Sequence, residues 1–381
     1  MKQYKIVYCV PSLYISGGVE RVLTLKANYF AEYYGYDITI LLTDGKDKPF
    51  AFPLSPKVKV INLNINFDEL WNCSFFKKVY LYIVKQYVYK KRLRKELMRI
   101  RPDITDSLLR REINFINKIA DGSIKIGELH VNRTNYRNFE DNETNWFKDI
   151  FSRYWMSDLI RHLKRLEKFV VLTEEDKASW VELNNVVAIP NPISFKVDSV
   201  SPLSQKRVIA VGRYAYQKGF DMLLKAWAIV EKNCTEWSLS VYGTGDRQPY
   251  QYLMNQLNID KSRCQLCGNT NEIKNEYLNS SIFVVSSRFE GLSMAMLEAL
   301  SCGLPIVSFS CPCGPRDVFT YGMNGVLVPK EDVEGLAKAL TNLINSPEQI
   351  KKMGENARKR SEDFKLEVLA DKWKNLFESL C

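Results

Sequence analysis

The stretch that decides the fold is "SSRFEGLSMAMLEALSCGLPIVS", residues 286–308. It has the pattern of a strand end, a glycine turn, a mostly apolar helix and a second strand. This succession is the repeating unit of a parallel sheet covered by helices. Glu298 lies in the middle of the predicted helix, eight residues after Glu290. Because an ionised carboxylate on a buried helix is costly unless it is paired, the sequence predicts a polar partner for Glu298.

Strand-like apolar runs alternate with helix-length segments on both sides of this stretch, which predicts two parallel sheets. Residues 111–122, residues 143–167 and the last fifty residues are among the predicted helices. "SFKVDSVSPLSQK" (194–206) contains four serines and a Ser-Pro break, which predict a linker. The predicted strands are "KIVYCV", "DITILLT", "DITDSLL", "KIGELHV", "KFVVLT" and "VVAIPNPI" before this linker, and "RVIAVG", "LSVYG", "RCQLCG", "SIFVVSS", "LPIVSF" and "GVLVP" after it.

We therefore predict an α/β fold of two Rossmann-like, doubly wound parallel-sheet domains that face a cleft. Residues 1–193 form the first domain and residues 207–365 the second, while a C-terminal helix at about 366–381 packs back on the first. Ligands of such sheets bind beyond the carboxyl ends of the strands. A length of 381 residues, 46% of them hydrophobic, suits two cores better than one.

Composition limits the class of protein. No apolar run approaches the roughly 18–20 residues that a membrane span needs, and the first residues resemble a strand more than a signal peptide. The nine cysteines are an odd number without a disulfide framework, which indicates a reduced, cytoplasmic setting. "CQLC" and "CPC" are potential zinc or redox motifs. We predict no metal and no cofactor, because the closed ligand sets that zinc prefers are not evident.

Two glycine-containing turns are candidate anion sites, because each connects a strand to the N-terminus of a helix. In "GRYAYQKGFD", Arg213 directly follows Gly212, and Lys218 lies just before the helix. In "SGGVER", Gly17 and Gly18 occupy the same position after the first strand. For "GRYAYQKGFD" the alternative interpretation is two surface cations beside a turn. For "SGGVER" it is a turn that binds nothing. The P-loop pattern is absent, so nucleotide hydrolysis of that kind is not indicated.

The remaining candidates also follow predicted strands. "YGTGDR" carries Gly243 and Gly245, half of a dinucleotide fingerprint. Gly291 permits close approach of the backbone to a ligand. Glu298 lies five residues into its helix, about 7.5 Å along the axis, which suits the reach from a diphosphate to ribose hydroxyls. The alternative is that Glu290 caps the helix and that Glu298 extends to solvent from the edge of the helix. His130, at the end of "KIGELHV", is either structural or part of a site.

The net charge of +10 is concentrated in one segment. Residues 75–101 contain ten Lys or Arg and one Glu, with aromatic and aliphatic residues at helical spacing. A helix that dips into an anionic lipid surface has this pattern. The alternative is a domain helix whose aromatic face belongs to the core. Charge alone would allow nucleic-acid binding, but no recognition motif accompanies it, so we expect none.

These residues carry a family resemblance over nearly the whole chain. "GGVERV", "GELHVN", "IPNPI", "VGRYAYQKGFD", "VYGTGD" and "SSRFEGLSMAMLEALSCGLPIVSFSCPCGPRD" are similar to family-4 glycosyltransferases of the GT-B fold. The Glu290–Glu298 element, preceded by Arg213 and Lys218, is the specific part of the resemblance. "GGVER" and "CPCGPRD" are most similar to bacterial enzymes that build surface or capsular polysaccharide. The segment 132–165 matches no pattern of the family, which leaves the acceptor site undefined.

The resemblance implies a retaining, metal-independent hexosyltransferase that uses a nucleotide sugar, on family grounds a UDP-sugar. The acceptor would be a saccharide or lipid-linked saccharide, and the enzyme would be cytoplasmic, peripheral on the inner membrane face. Arg213 and Lys218 would hold the diphosphate, Glu298 the ribose and Glu290 the donor sugar, with His130 near the reaction centre. The implied catalytic residues are His130, Arg213, Lys218 and Glu290, and the implied donor-binding residues are Gly17, Gly18, Gly212, Gly243, Gly291, Leu292, Ser293, Met294 and Glu298.

Two other functional classes fit the same pattern. An epimerase of nucleotide sugars or a phosphorylase would use the same scaffold and the same anion site. A non-catalytic protein that binds membrane or nucleic acid would need neither. The ordered combination of the anion site and Glu298 favours the transferase, although the base, sugar, acceptor, linkage and oligomeric state are not determined by the sequence.

Overall fold

The computed structural model describes residues 2–136 and 146–381, with the side chains of residues 135 and 146–152 left undescribed. Residues 143–145 of the predicted helix 143–167 therefore lie outside the described residues. The chain divides into two compact units. The first unit comprises Met1–Ile189 and Leu366–Cys381, and the second comprises Pro190–Lys365.

The first unit contains a parallel sheet of seven strands in the order β3-β2-β1-β4-β5-β6-β7. Strand β1 lies in the interior of the sheet, next to the central β4, and its apolar residues on both faces can be covered by helices. It pairs with β2 and β4, with Lys5 opposite Asp37 and Ile6 opposite Ile104. The strands are β1 (Lys5–Val10), β2 (Asp37–Leu42), β3 (Lys59–Asn62), β4 (Ile104–Ser107), β5 (Ile124–Glu128), β6 (Lys168–Val171) and β7 (Val186–Ala188).

Helices cover both faces of this sheet, and each face has its own apolar core. Phe30 and Phe377 meet edge to face in one core, whereas Phe169 and Trp180 do so in the other. Phe377 belongs to the last helix, so the C-terminal helix is part of the first unit. The helices are α1 (Gly18–Tyr33), α2 (Phe75–Ile100), α3 (Trp146–Leu163), α4 (Glu174–Ser179) and, at the end of the chain, α12 (Leu366–Leu380).

The second unit contains a parallel sheet of six strands in the order β10-β9-β8-β11-β12-β13. Its strands are β8 (Arg207–Val211), β9 (Ser238–Tyr242), β10 (Cys264–Cys267), β11 (Ile282–Val285), β12 (Ile306–Phe309) and β13 (Gly325–Val328). Its helices are α5 (Phe220–Asn233), α6 (Gln248–Gln256), α7 (Ile273–Leu278), α8 (Met294–Ser301), α9 (Pro315–Val318), α10 (Val333–Ile344) and α11 (Pro347–Ser361). Two parallel-sheet units confirm the predicted α/β fold class.

Local differences from the sequence predictions have physical causes. Residues 111–122 were predicted to form one helix, but they form two short 3-10 turns, Glu112–Asn114 and Ile116–Lys118. The Glu112 carboxylate accepts hydrogen bonds from Ser107 Oγ and the Arg110 amide, which ties the segment to the end of β4 instead.

The segment 194–206, predicted as a linker, lies within the second unit. The Ser201 amide donates to the Cys302 carbonyl, and Val197 is buried. Strand β3 was not predicted, because this short strand at the sheet edge has only two apolar residues, between a lysine and an asparagine. Across the residues that the structure describes, no helix is long and apolar enough to cross a membrane.

Candidate functional site

The loops that follow β8 and β9 are joined backbone to backbone. The Gly212 amide donates to the Tyr242 carbonyl, and the Tyr214 amide donates to the Thr244 carbonyl at 2.7 Å. A Cβ atom on Gly243 would overlap the Gly212 carbonyl oxygen, so only glycine fits this crossing. Gly245 has a φ of +116°, which also favours glycine. The loops that carry Gly212 and Gly243 therefore form one surface at the carboxyl ends of the adjacent strands β8 and β9.

The loop after β11 is fastened to the loop after β8. The Arg288 amide donates to the Gln217 carbonyl at 2.8 Å, and Gln217 Nε2 donates to the Phe289 carbonyl at 3.1 Å. The Arg288 guanidinium forms a bidentate pair with Asp221, at 2.9 and 2.7 Å, and lies over the Tyr216 ring. These contacts hold "GRYAYQKGFD" and "SSRFEG" together, although the two segments are about seventy residues apart in sequence.

Lys218 and Glu290 form an ion pair at the centre of these loops. Lys218 Nζ donates to Glu290 Oε1 at 2.7 Å, and Ser287 Oγ donates to the same oxygen at 2.6 Å. Glu290 is buried, and Lys218 is largely so. The aliphatic part of Lys218 lies against Gly212, where a Cβ atom would be 3.0 Å from Lys218 Cδ. The family resemblance implies separate roles for these two side chains, whereas the structure places them in direct contact.

Arg213 differs from Lys218 in its exposure. It lies one residue beyond Gly212 and is exposed, with Nη2 3.5 Å from Gln217 Oε1. An exposed guanidinium next to a buried ammonium gives this surface two cations at different depths. An anion that binds here can contact both cations. Because Arg213 is exposed, its guanidinium stays hydrated until the anion binds.

Helix α8 begins at the same place, with Ser293 as its N-cap. The amides of the first turn of an α-helix have no acceptor within the helix, so Ser293 and Met294 contribute N–H groups here. Gly314, at a φ of +102°, comes close to this turn, since a Cβ on it would be 3.2 Å from the Gly291 carbonyl oxygen. Leu292 is buried beside them.

Glu298 is buried in α8 and has two hydroxyl partners. Ser194 Oγ donates to Glu298 Oε1, and Tyr277 OH donates to Oε2 at 3.0 Å. These hydrogen bonds answer the sequence's prediction of a polar partner. Both oxygens of the Glu298 carboxylate therefore accept hydrogen bonds from hydroxyl groups, the kind of donor that an ionised carboxylate pairs with.

The cysteines near this surface behave as buried thiols. Burial raises the pKa of Cys311 to about 12, and it does the same for Cys264 and Cys302. Such thiols stay protonated at neutral pH and are poor metal ligands. Within residues 2–136 and 146–381, no group of three or more His, Cys, Asp or Glu side chains could hold a metal ion.

In the first unit, Gly17 is the N-cap of α1, which starts at Gly18. The Glu20 carboxylate folds back over Gly17, since a Cβ there would overlap one of its oxygens. Burial raises the pKa of Glu20, against the opposing effects of its own amide and of Arg110 and His130. An anion at this helix terminus would have to displace Glu20, so the second anion site stays a prediction.

His130 follows β5 and belongs to a buried charged cluster of the first unit, which we define as Lys26, Asp106, Glu128 and His130. His130 Nε2 lies 3.3 Å from Glu128 Oε2, and Lys26 Nζ donates to Glu128 Oε1. Lys26 Nζ is also 3.9 Å from Asp106 Oδ2 and 3.9 Å from the centre of the Trp373 ring. Glu128 therefore connects His130 to the core.

The two carboxyl groups of this cluster titrate in opposite directions. Burial, followed by repulsion from Glu128, raises the pKa of Asp106 well above its ordinary value. Burial also acts to raise the pKa of Glu128, but the attraction of Lys26 and the contact with His130 outweigh it and lower that pKa. The shifts therefore favour the protonated form of Asp106 and the charged form of Glu128.

The structure thus brings Gly212, Gly243, Lys218 and Glu290 together in the second unit, beside Arg213 and the start of α8. It places Gly17, Gly18 and His130 in the first unit. Sequence reasoning missed Arg288, Asp221 and the buried cluster. A signal for Lys26 was present, because it lies on the apolar face of α1 at helical spacing from Leu23 and Phe30.

A family model supports the interpretation of this surface. Residues 194–360 match the model described as "Glycosyl transferases group 1". This range contains all of the glycine turns, cations and carboxylates described above for the second unit.

Two curated relatives align with nearly the whole chain. An uncharacterised glycosyltransferase of Haemophilus influenzae is 29% identical, covering 98% of this chain and 99% of the relative. The Campylobacter jejuni enzyme named GalNAc-alpha-(1->4)-GalNAc-alpha-(1->3)-diNAcBac-PP-undecaprenol alpha-1,4-N-acetyl-D-galactosaminyltransferase is 27% identical, covering 98% of each chain. Several other curated relatives match over less than two thirds of their own length.

Solved structures show the same fold. The pneumococcal O-GlcNAc transferase GtfA, determined in complex with UDP and GlcNAc, superposes with a TM-score of 0.74 at 15% sequence identity. The superposition covers 100% of this chain and 99% of that one.

Proposed function

Because residues 194–360 match the family model of the glycosyl transferases group 1, we propose that the chain moves a hexose or N-acetylhexosamine from a UDP-sugar to a saccharide acceptor. The product would be a bacterial polysaccharide or glycan. Two similar proteins support this choice. The name of the Campylobacter jejuni enzyme includes an undecaprenol-linked saccharide, and pneumococcal GtfA was solved in complex with UDP and GlcNAc.

The observation that carries the proposal is the Lys218–Glu290 pair, enclosed by the loops after β8, β9 and β11. A diphosphate that reached this surface would meet the Lys218 ammonium, the Arg213 guanidinium and the first amides of α8. Cleavage of the bond between the sugar and the phosphate leaves negative charge on the diphosphate. Groups fixed in place before the reaction stabilise such charge by about 2.7–4 kcal/mol each.

Glu298 is proposed to hold the ribose. Ser194 and Tyr277 fix the orientation of its carboxylate, and a carboxylate accepts hydrogen bonds from hydroxyl groups such as those of ribose. Glu290 is proposed to contact the donor sugar, with Lys218 as its partner until the diphosphate arrives.

The first unit is proposed to supply His130 near the donor sugar and Gly17 and Gly18 near the leaving group or acceptor. Glu128 and Lys26 would keep the imidazole in one orientation. We propose that the acceptor hydroxyl attacks from the same face that the diphosphate leaves, which retains the anomeric configuration. No carboxylate is assigned as a covalent nucleophile.

The reducing state of the chain supports a cytoplasmic site of action. All nine cysteines are free thiols. Six of them are buried, and a seventh, Cys267, lies in strand β10. Free thiols in this number are typical of a reducing compartment.

Two measurements test the proposal. A ligand present at 100 times its Kd stabilises a protein by about 2.7 kcal/mol, or about 5–10 °C in Tm for a unit of this size. We expect UDP to give such a shift, with GDP and ADP giving smaller ones. Release of UDP from a UDP-sugar should then require an added saccharide acceptor.

The controls separate the alternatives. Glu298→Gln should weaken UDP binding about tenfold, by the loss of one charge-assisted hydrogen bond. Glu355→Gln, at an exposed position of α11, should leave it unchanged. UDP release that is independent of an acceptor would instead favour an epimerase or hydrolase, and absence of any nucleotide binding would overturn the proposal.

A further inference from the structure

Helix α2 exposes an unusual concentration of large apolar side chains. Nine of the 23 exposed large hydrophobic residues among the described residues lie between Trp71 and Tyr87. Large apolar side chains are normally scattered singly over a protein surface, and a contiguous group marks an interaction site. The side chains concerned are Trp71, Phe75, Phe76, Val79, Tyr80, Tyr82, Ile83, Val84 and Tyr87.

The second half of α2 is anchored in the first unit. Tyr89, Leu93 and Leu97 are buried in its core. On the same inward side, Lys85 Nζ donates to the Ile65 and Asn66 carbonyls at 2.6 Å each. The helix is therefore held firmly at one end, while its first three turns present their outward side to solvent.

The outward side of α2 forms one stripe, which we call the α2 stripe: Phe76, Tyr80, Ile83, Tyr87, Lys90, Lys91 and Arg94. Apart from the adjacent Lys90 and Lys91, these residues follow one another at spacings of three or four, so they share one helix face. The apolar part runs for about 16 Å at 1.5 Å per residue, and the cationic part continues beyond it. Among the described residues, no ion pair joins Lys90, Lys91 or Arg94 to an acid.

We propose that the α2 stripe docks the protein on an anionic lipid bilayer. The apolar and aromatic side chains would enter the interfacial layer, and the three cations would lie along the headgroups. A second copy of this chain fits poorly as the occupant, because it would bring the same positive charges. A nucleic acid also fits less well, because Val79, Ile83 and Val84 offer aliphatic surface and no ring for base stacking.

Vesicle co-sedimentation of the full chain tests the proposal. We expect binding to phosphatidylcholine vesicles that contain phosphatidylglycerol, weak binding to phosphatidylcholine alone, and weakening as salt is raised. The assay contains no nucleotide sugar and no acceptor, so its outcome is independent of the proposed transferase activity.

Two triple variants separate the contributions of charge and apolar surface. Lys90→Gln, Lys91→Gln and Arg94→Gln together should weaken binding about 100-fold, at about fivefold per cation. Phe76→Ser, Tyr80→Ser and Ile83→Ser together should weaken it about tenfold or more. Because all six side chains are exposed, both variants are expected to fold.

The matched control neutralises three exposed lysines of α11, in the second unit: Lys351→Gln, Lys352→Gln and Lys359→Gln. It removes the same charge and should bind vesicles like the wild type. The proposal is overturned if anionic vesicles do not sediment the protein. It is equally overturned if the control weakens binding as much as the α2 variants, or if the α2 variants lose binding to an added RNA and not to vesicles.

Discussion

Replacement of Lys218 by methionine keeps the length of the side chain but removes the cation that faces Glu290. Lys218 Nζ lies 2.7 Å from Glu290 Oε1, and Glu290 is 4% exposed. Removal of one partner of a buried ion pair costs about 3–5 kcal/mol, because the other charge stays desolvated. The Lys218 side chain is 16% exposed, and Ser287 still donates to Glu290. We therefore expect a loss near the lower limit, about 3 kcal/mol.

Hydrogen exchange measures this loss in the second unit alone. A loss of about 3 kcal/mol should speed exchange of the β8 and β11 amides about 10²-fold, while the β1 and β4 amides keep their rates. Lys218→Met combined with Glu290→Gln should recover most of the loss, since no buried charge then lacks a partner. If the single and double variants exchange equally fast, the ion pair does not stabilise the loops and the reasoning is refuted.

Three further predictions concern other parts of the two units. Arg213→Ala should lower turnover with a UDP-sugar about 10²-fold or more, and wild-type turnover would remove Arg213 from the site. Asp106→Asn should flatten the pH dependence of stability: the raised pKa of Asp106 means that the native state holds a proton that the unfolded chain releases, so wild-type stability falls as the pH rises above the ordinary aspartate pKa of about 3.9. An unchanged slope of the unfolding free energy against pH would contradict this. Gly243→Ala should weaken UDP binding about tenfold or more, because its Cβ would overlap a backbone carbonyl. Gly268→Ala is the control, since the nearest atom to a Cβ there is Arg247 Nη1 at 4.0 Å. Equal effects of the two substitutions would argue against the crossing of the loops at Gly243.

The fold class could be predicted because central parallel strands are buried on both faces and form uninterrupted apolar runs. "RVIAVG" and "SIFVVSS" have this property, and both contain strands of the second sheet. Strand β3 does not, because it lies at the sheet edge with Lys59 exposed. The segment 111–122 has helix-like apolar spacing, but the bonds from Ser107 and Arg110 to Glu112 stabilise a different backbone, and such contacts depend on the tertiary structure.

The candidate site was predictable one loop at a time. Glycine and cation positions after a strand point to an anion site wherever they occur, so Gly212, Lys218 and Glu298 could be identified. The contact between Lys218 and Glu290 could not, because it depends on β8 and β11 being neighbours in the sheet. Lys26, Asp106 and Glu128 were not among the residues predicted from the sequence, although the position of Lys26 between Leu23 and Phe30 places it on the apolar face of α1.

The central claim is that the second unit binds the UDP part of a nucleotide sugar through Arg213, Lys218, the start of α8 and Glu298. A crystal structure of the protein with UDP tests it most directly. The account predicts the diphosphate within hydrogen-bond distance of Lys218 and Arg213, and both ribose hydroxyls on the Glu298 carboxylate. UDP bound elsewhere, or bound here with neither ribose hydroxyl on the Glu298 carboxylate, would contradict it.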